Sequence, residues 1–173
     1  SDGGRWAEPG DAAAHARELV AAGAGMLDLG AESTRPGAAP VAAREELRRL
    51  LPVLRAVRAA VTVPLSVDTM KGAVARAALA EGADVVNDVS AGRFDADMLP
   101  LCAAAGAPVI LMHMRGTPAT MQRDPVYADV VQEVVGFLAG RVAAAQAAGV
   151  PPAAIVLDPG IGFGKTVAHN CQL

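Results

Sequence analysis

Pro64-Leu65-Ser66-Val67-Asp68 runs directly into Thr69-Met70-Lys71 and then into an alanine-rich stretch that ends at Glu81-Gly82. A short apolar run that closes on an acidic residue and leads into a helical pattern is one βα unit. The same order recurs along the chain. Residues 26–30, 84–89, 109–113 and 155–158 also read as strands, each β-branched or leucine-rich and each ending in polar or glycine-rich sequence. Helices are predicted between them. Residues 11–22 form one, with Asp11 as its N-cap. Residues 41–60 carry Leu47, Leu50, Leu51, Leu54 and Val57 at helical spacing, and Pro52 is expected to kink or divide that helix. Residues 71–81 and 97–105 are shorter helices closed by Gly82 and Gly106. Residues 126–148 are the longest, and residues 167–173 begin another.

Alternating strands and helices mean a parallel sheet, either a doubly wound open sheet or a (β/α)8 barrel. No glycine-rich dinucleotide fingerprint follows any strand. Instead Glu32-Ser33-Thr34-Arg35, Asp68-Thr69, Asn87-Asp88, His113 and Asp158 close successive strands. A ring of polar strand ends is how barrel enzymes build a site. The expected fold is therefore α/β, an incomplete (β/α)8 TIM barrel. A full barrel needs about 250 residues, and this chain has 173. Ser1-Asp2-Gly3-Gly4 reads as a turn that a further strand should precede. Residues 1–173 form one domain, with no repeat and no internal boundary.

Composition narrows the partners. Hydrophobic residues make up 53% and aromatic residues 3%, so the core must be built from alanine, valine, leucine and isoleucine. The formal charge is −3 with no run of lysine or arginine, which gives no footprint for nucleic acid. Every apolar run is far shorter than the roughly 20 residues of a membrane span. Cys102 and Cys171 make no disulfide framework, and a reduced, cytoplasmic setting is expected.

Candidate chemistry sits at the strand ends. Asp68 and Asp158 each offer a carboxylate able to take two adjacent N–H donors from a flat heterocycle. Asn87 offers a donor and an acceptor together. This set suits a pterin or a purine better than a sugar or a lipid. The bland alternatives are that Asp68 caps the helix starting near Lys71 and that Asp158 caps a turn at Pro159. Arg35 either binds a phosphate or carboxylate or lies solvated in a surface turn with Pro36 and Gly37. His113 has no metal-ligand partner at suitable spacing and reads as a satisfied strand-end histidine. Met112 and Met114 line an apolar slot or belong to the core. Gly164-Lys165-Thr166 looks like the end of a nucleotide-binding P-loop, but three residues separate Gly160 from Gly164 where that motif needs four.

Taken in order, residues 27–37 (LDLGAESTRPG), 64–71 (PLSVDTMK), 83–92 (ADVVNDVSAG), 110–122 (ILMHMRGTPATMQ) and 156–166 (VLDPGIGFGKT) resemble the dihydropteroate synthase family. The resemblance covers essentially the whole chain. It implies barrel strands two to six, with the first and the last two strands absent. It also implies transfer of a dihydropterin from its diphosphate to para-aminobenzoate, with Mg²⁺ assisting release of diphosphate. By resemblance Asp68, Asn87 and Asp158 hold the pterin, and Met112 packs beside it. Thr34 and Arg35 belong to a loop that closes over the substrates, and Pro36 and Phe163 enclose para-aminobenzoate. Asp68 and Arg35 are the residues expected to act in catalysis. The main metal ligand is expected upstream of residue 1, and none is assigned among these residues. The resemblance further implies sulfonamide sensitivity as a property to test, a homodimer at full length, and an inactive isolated chain. The alternatives are a methyltetrahydrofolate-dependent methyltransferase domain and an inactive paralogue.

Overall fold

The computed structural model describes residues 6–173; the Ser1-Asp2-Gly3-Gly4 turn lies outside them. Five strands alternate with helices: α1 (Pro9–Ala21), β1 (Leu27–Gly30), α2 (Ala43–Ala60), β2 (Leu65–Asp68), α3 (Gly72–Ala80), β3 (Val85–Asp88), α4 (Met98–Ala105), β4 (Val109–Met112), α5 (Val130–Ala147), β5 (Ile155–Asp158) and α6 (Val167–Asn170). A single 3-10 turn, Pro152–Ala154, precedes β5.

All four strand pairings are parallel, and the order in space is the order in sequence. Each new strand is added on the same side, as in a barrel. A doubly wound sheet would reverse direction partway. The helices follow suit, with α1 on α2, α2 on α3, α3 on α4 and α4 on α5. Side chains alternate across the strands. Leu27, Leu29, Leu65, Val67, Val86, Val109 and Leu111 are buried in one core with Leu50, Leu54 and Val57 of α2. The other phase carries Asp28, Ser66, Asp68, Asn87 and Asp158. One face of the sheet is thus the packed core, and the opposite face holds the polar groups.

Several local expectations are corrected. Asp11 does not cap α1. Glu8 occupies the cap position without a side-chain bond, and Pro9, its φ preset for a first helical residue, moves the start back. Pro52 does not divide α2, which is continuous from Ala43 to Ala60. Pro52 is exposed, so the backbone acceptor it leaves unbonded faces solvent, while Leu50 and Leu54 on either side are held in the core. Helix α5 starts at Val130 rather than at residue 126, because the Asp129 carboxylate accepts from Gln132 N at 3.0 Å.

Candidate functional site

Strands β1, β2 and β3 bring four polar side chains together, Asp28, Ser66, Asp68 and Asn87. The strand register sets Gly30 beside Asp68 and Asp68 beside Asn87. Asn87 Nδ2 donates to Asp28 Oδ2 at 3.2 Å, and Ser66 Oγ donates to Asp28 Oδ1. Gly30 keeps this corner open, since a Cβ there would lie 3.2 Å from Asp68 Cβ.

Among the described residues, two buried side-chain polar atoms lack a hydrogen-bond partner: Asp68 Oδ1 and Asn87 Oδ1. Both are acceptors, and they sit on paired residues of neighbouring strands. A buried acceptor without a donor costs about 1–3 kcal/mol, so two of them side by side in one place mark a site for a donor-bearing ligand. Burial, and then the charge of Asp28, push the Asp68 carboxyl up to about 7. Asp68 does not cap α3. Gly72 N, at the start of that helix, donates instead to Asp95 Oδ2 at 2.7 Å.

Asp158 lies on β5, where it pairs in register with Met112 of β4. One of its oxygens is already engaged, accepting from Gly160 N at 2.7 Å, so the turn-capping alternative is realised for this residue. Met112 is buried with Val89, Met114 and Met121 in a cluster of its own, apart from the main core, and Met70 and Phe163 pack on it. This sulfur-rich cluster joins the ends of β2, β3 and β4 to the loop after β5. It brings Met112 and Phe163 into one cluster.

The loop after β1 carries Thr34, Arg35 and Pro36, with Arg35 and Pro36 exposed. Gly37 N donates to Pro118 O at 3.4 Å, so this loop touches the loop after β4. A cavity of about 700 Å³ between α1, β1 and α2 includes Asp28, Glu32, Ser33 and Arg35 in its wall.

The P-loop likeness ends in a different structure. Lys165 turns inward and is buried. Its Nζ lies 2.9 Å from His113 Nδ1 and donates to Gly160 O at 2.8 Å and Phe163 O at 3.1 Å. A lysine committed to backbone carbonyls has no arm left for a phosphate. Burial lowers Lys165 to about 8; burial, and then the charge of Lys165, lower His113 to about 4. His113 is thus a satisfied strand-end histidine. Gly160 is required here, since it has φ +69° and a Cβ would come 2.0 Å from His113 O.

Reading the strand ends missed Asp28, the residue that binds Asn87 and Ser66. Its signal was a charge in phase with Gly30 and out of phase with Leu27 and Leu29. Glu32 reads only as a strand end and Lys71 only as a helix start in the sequence, and Glu46 was missed; their contacts join distant segments. Lys71 Nζ donates to Glu32 Oε2 and to Glu46 Oε2, both at 2.6 Å. Among the described residues no group of three or more His, Cys, Asp or Glu side chains is placed to hold a metal ion. No described helix is long and apolar enough to cross a membrane.

Comparison with known proteins agrees with this fold. A family model described as pterin binding enzyme matches residues 1–173. A dihydropteroate synthase of Mycobacterium leprae is 49% identical over 174 residues, covering 100% of this chain and 61% of the relative. A Yersinia pestis dihydropteroate synthase solved with a sulfonamide drug superposes with a TM-score of 0.96 at 43% identity, covering 100% of this chain and 62% of that one. A Xanthomonas albilineans dihydropteroate synthase solved with 4-aminobenzoic acid gives 0.89 at 47% identity, covering 100% and 61%. The chain spans about three fifths of the length of the curated bacterial dihydropteroate synthases it matches.

Proposed function

The chain belongs to the pterin binding enzyme family, and from that premise we propose that it is the pterin-recognising part of a dihydropteroate synthase. The reaction joins 6-hydroxymethyl-7,8-dihydropterin diphosphate to para-aminobenzoate and releases diphosphate. The observation that carries the proposal is the pair of unpartnered buried acceptors, Asp68 Oδ1 and Asn87 Oδ1. A pterin presents adjacent ring and amino N–H donors along one edge, and an ionised Asp68 takes two of them as charge-assisted bonds. Asn87 is held by its donation to Asp28, which leaves its carbonyl oxygen to read the ring. Asp158 and Met112, neighbours in register, complete the pterin wall. Phe163, packed on the same cluster as Met112, encloses the aromatic amine with Pro36.

The chemistry follows from where charge develops. The bond from the pterin methylene to the diphosphate oxygen breaks, and its electron pair leaves with diphosphate. Positive charge appears on the ring and is stabilised by the Asp68 carboxylate beside it. The amine of para-aminobenzoate forms the new C–N bond and gives up a proton. Thr34 and Arg35, on the loop after β1, close over the reacting centre, and Arg35 supplies positive charge to the anionic substrates. Among the described residues no group of three or more candidate ligand side chains is placed to hold a magnesium ion by itself. Magnesium therefore belongs to the proposal only as a companion of diphosphate held by other groups, and no step here runs through it.

A polypeptide of these 173 residues is proposed to recognise pterin without completing the condensation, because it spans about three fifths of its relatives and leaves Val156 and Leu157 of β5 half exposed. Cytoplasmic placement and a homodimer of the whole protein belong to the same proposal, as does binding of sulfonamides at the para-aminobenzoate position. The test is a calorimetric titration with 6-hydroxymethylpterin. Saturable binding that Asp68→Asn weakens supports the assignment. Equal binding by the native chain and by Asp68→Asn would overturn it.

A further inference from the structure

The loop after β1 leaves the barrel mouth at Glu32 and returns at Val41, and a buried charge network pinches it shut between them. Glu32 Oε1 accepts from Val41 N at 2.7 Å, so one side chain spans the two ends of the loop. The other oxygen of Glu32 accepts from Lys71 Nζ at 2.6 Å. Lys71 Nζ also donates to Glu46 Oε2 at 2.6 Å, and the other Glu46 oxygen accepts from Thr69 Oγ1 at 2.6 Å. Glu46 is fully buried in the first turns of α2. Thr69 follows Asp68 directly. The network therefore joins three elements: the neck of the loop, helix α2, and the strand end that bears Asp68.

The arrangement is built for holding. Burial opposes the charge on Lys71, but the hydrogen bonds it donates to the two carboxylates outweigh it and leave the ammonium more firmly protonated than usual. Removing one partner of such a network strands a buried charge, so its geometry is kept as a unit. The two loop ends are fixed to each other at Glu32 and Val41, and the segment between them is held elsewhere only by Gly37 N donating to Pro118 O among the backbone bonds of the described residues to other loops. That segment carries Thr34, Arg35 and Pro36.

We infer that Lys71 is a positioning residue, acting through Glu32 to set the neck of the 33–40 loop against the strand end that carries Asp68. This inference rests on the proposed reaction only for the purpose of the loop; the clamp itself does not. The test is amide hydrogen exchange on the whole chain, without ligand, for Lys71→Met, Lys71→Arg and Glu32→Gln. Exchange at residues 33–41 is expected to rise at least tenfold in Lys71→Met, most at Val41, with strand β3 amides unchanged. Lys71→Arg should restore protection, since a guanidinium can bridge both carboxylates. Glu32→Gln should give an intermediate rise, and it keeps the inference testable if Lys71→Met does not fold. Unchanged exchange at Val41, or a rise spread equally over β3, would overturn the clamp, as would failure of Lys71→Arg to restore protection. A pterin titration on the same proteins reads the functional assignment separately. If the native chain does not bind pterin while Val41 loses protection in Lys71→Met, the reaction fails and the clamp stands.

Discussion

Two buried polar clusters sit at the same end of the sheet and differ in one respect. In the loop after β5, Lys165 donates to backbone carbonyls and approaches His113, and one oxygen of Asp158 takes a backbone N–H. At the ends of β2 and β3, Asp68 Oδ1 and Asn87 Oδ1 are just as buried and have no donor. The first cluster uses its polarity to shape backbone. The second keeps two acceptors unpaired beside each other, with Asp28 pressing a further charge on Asp68. Buried polarity alone therefore does not mark the site. What marks it is buried polarity left without a partner.

The contrast can be broken at either cluster. The largest effect is expected from Gly160→Ala. A methyl group would meet His113 O at 2.0 Å in a left-handed conformation, which should lower stability by about 2–5 kcal/mol in denaturant unfolding. A loss below the lower figure would show that the loop relaxes easily. Next is Asp68→Asn, which removes an acceptor from charge-assisted bonds. Pterin affinity should drop by about 1.5–3 kcal/mol, roughly tenfold to a hundredfold. Thermal stability above pH 7 should rise, because the buried charge is gone. Where condensation is assayed in the whole enzyme, turnover should fall more than affinity, and equal losses would argue against charge stabilisation of the reacting ring.

Lys165→Met should be somewhat milder in the first cluster. It strips donors from Gly160 O and Phe163 O, at about 1–3 kcal/mol. It should also flatten the acid dependence of stability. His113 is held at about 4 by burial and then by Lys165, below its unfolded value of about 6.5. Its neutral form is favoured in the fold, so stability is lost as pH falls from about 6.5 toward 4. Removing the Lys165 charge should shrink that loss, and an unchanged acid limb would show that burial acts alone. The smallest effect is expected from Asp28→Asn. Asp68 stands at about 7, mainly through burial and then through Asp28. Pterin binding should weaken about tenfold per pH unit below 7, and Asp28→Asn should move that midpoint down by only part of the full shift.

The fold was legible because each strand and helix announced itself locally, in apolar runs ended by Asp68, Asn87 or Asp158 and in Gly82 and Gly106 after their helices. Details that depend on which side faces water were not legible, and so Pro52, expected to kink or divide its helix, does not divide it. The strand-end residues were found by their positions. Asp28 was missed because it lies in mid-strand, where only the alternation with Leu27 and Leu29 reveals its direction. The Glu32–Lys71–Glu46 network was missed for a different reason. Its members lie 39 and 25 positions apart in the chain, and no spacing rule joins them before the strands are placed in order.

The most direct test of Asp68 as the pterin acceptor is the proton count on binding. Calorimetric titration of 6-hydroxymethylpterin at pH 6, repeated in buffers of different ionisation enthalpy, measures it. At that pH most Asp68 carboxyls are protonated in the free chain, given a value of about 7, and two N–H donors from the ring require the ionised form. Binding should release close to one proton from the native chain and none from Asp68→Asn. No release from the native chain, or the same release from both, would contradict the assignment of Asp68 as the ionised group that reads the ring.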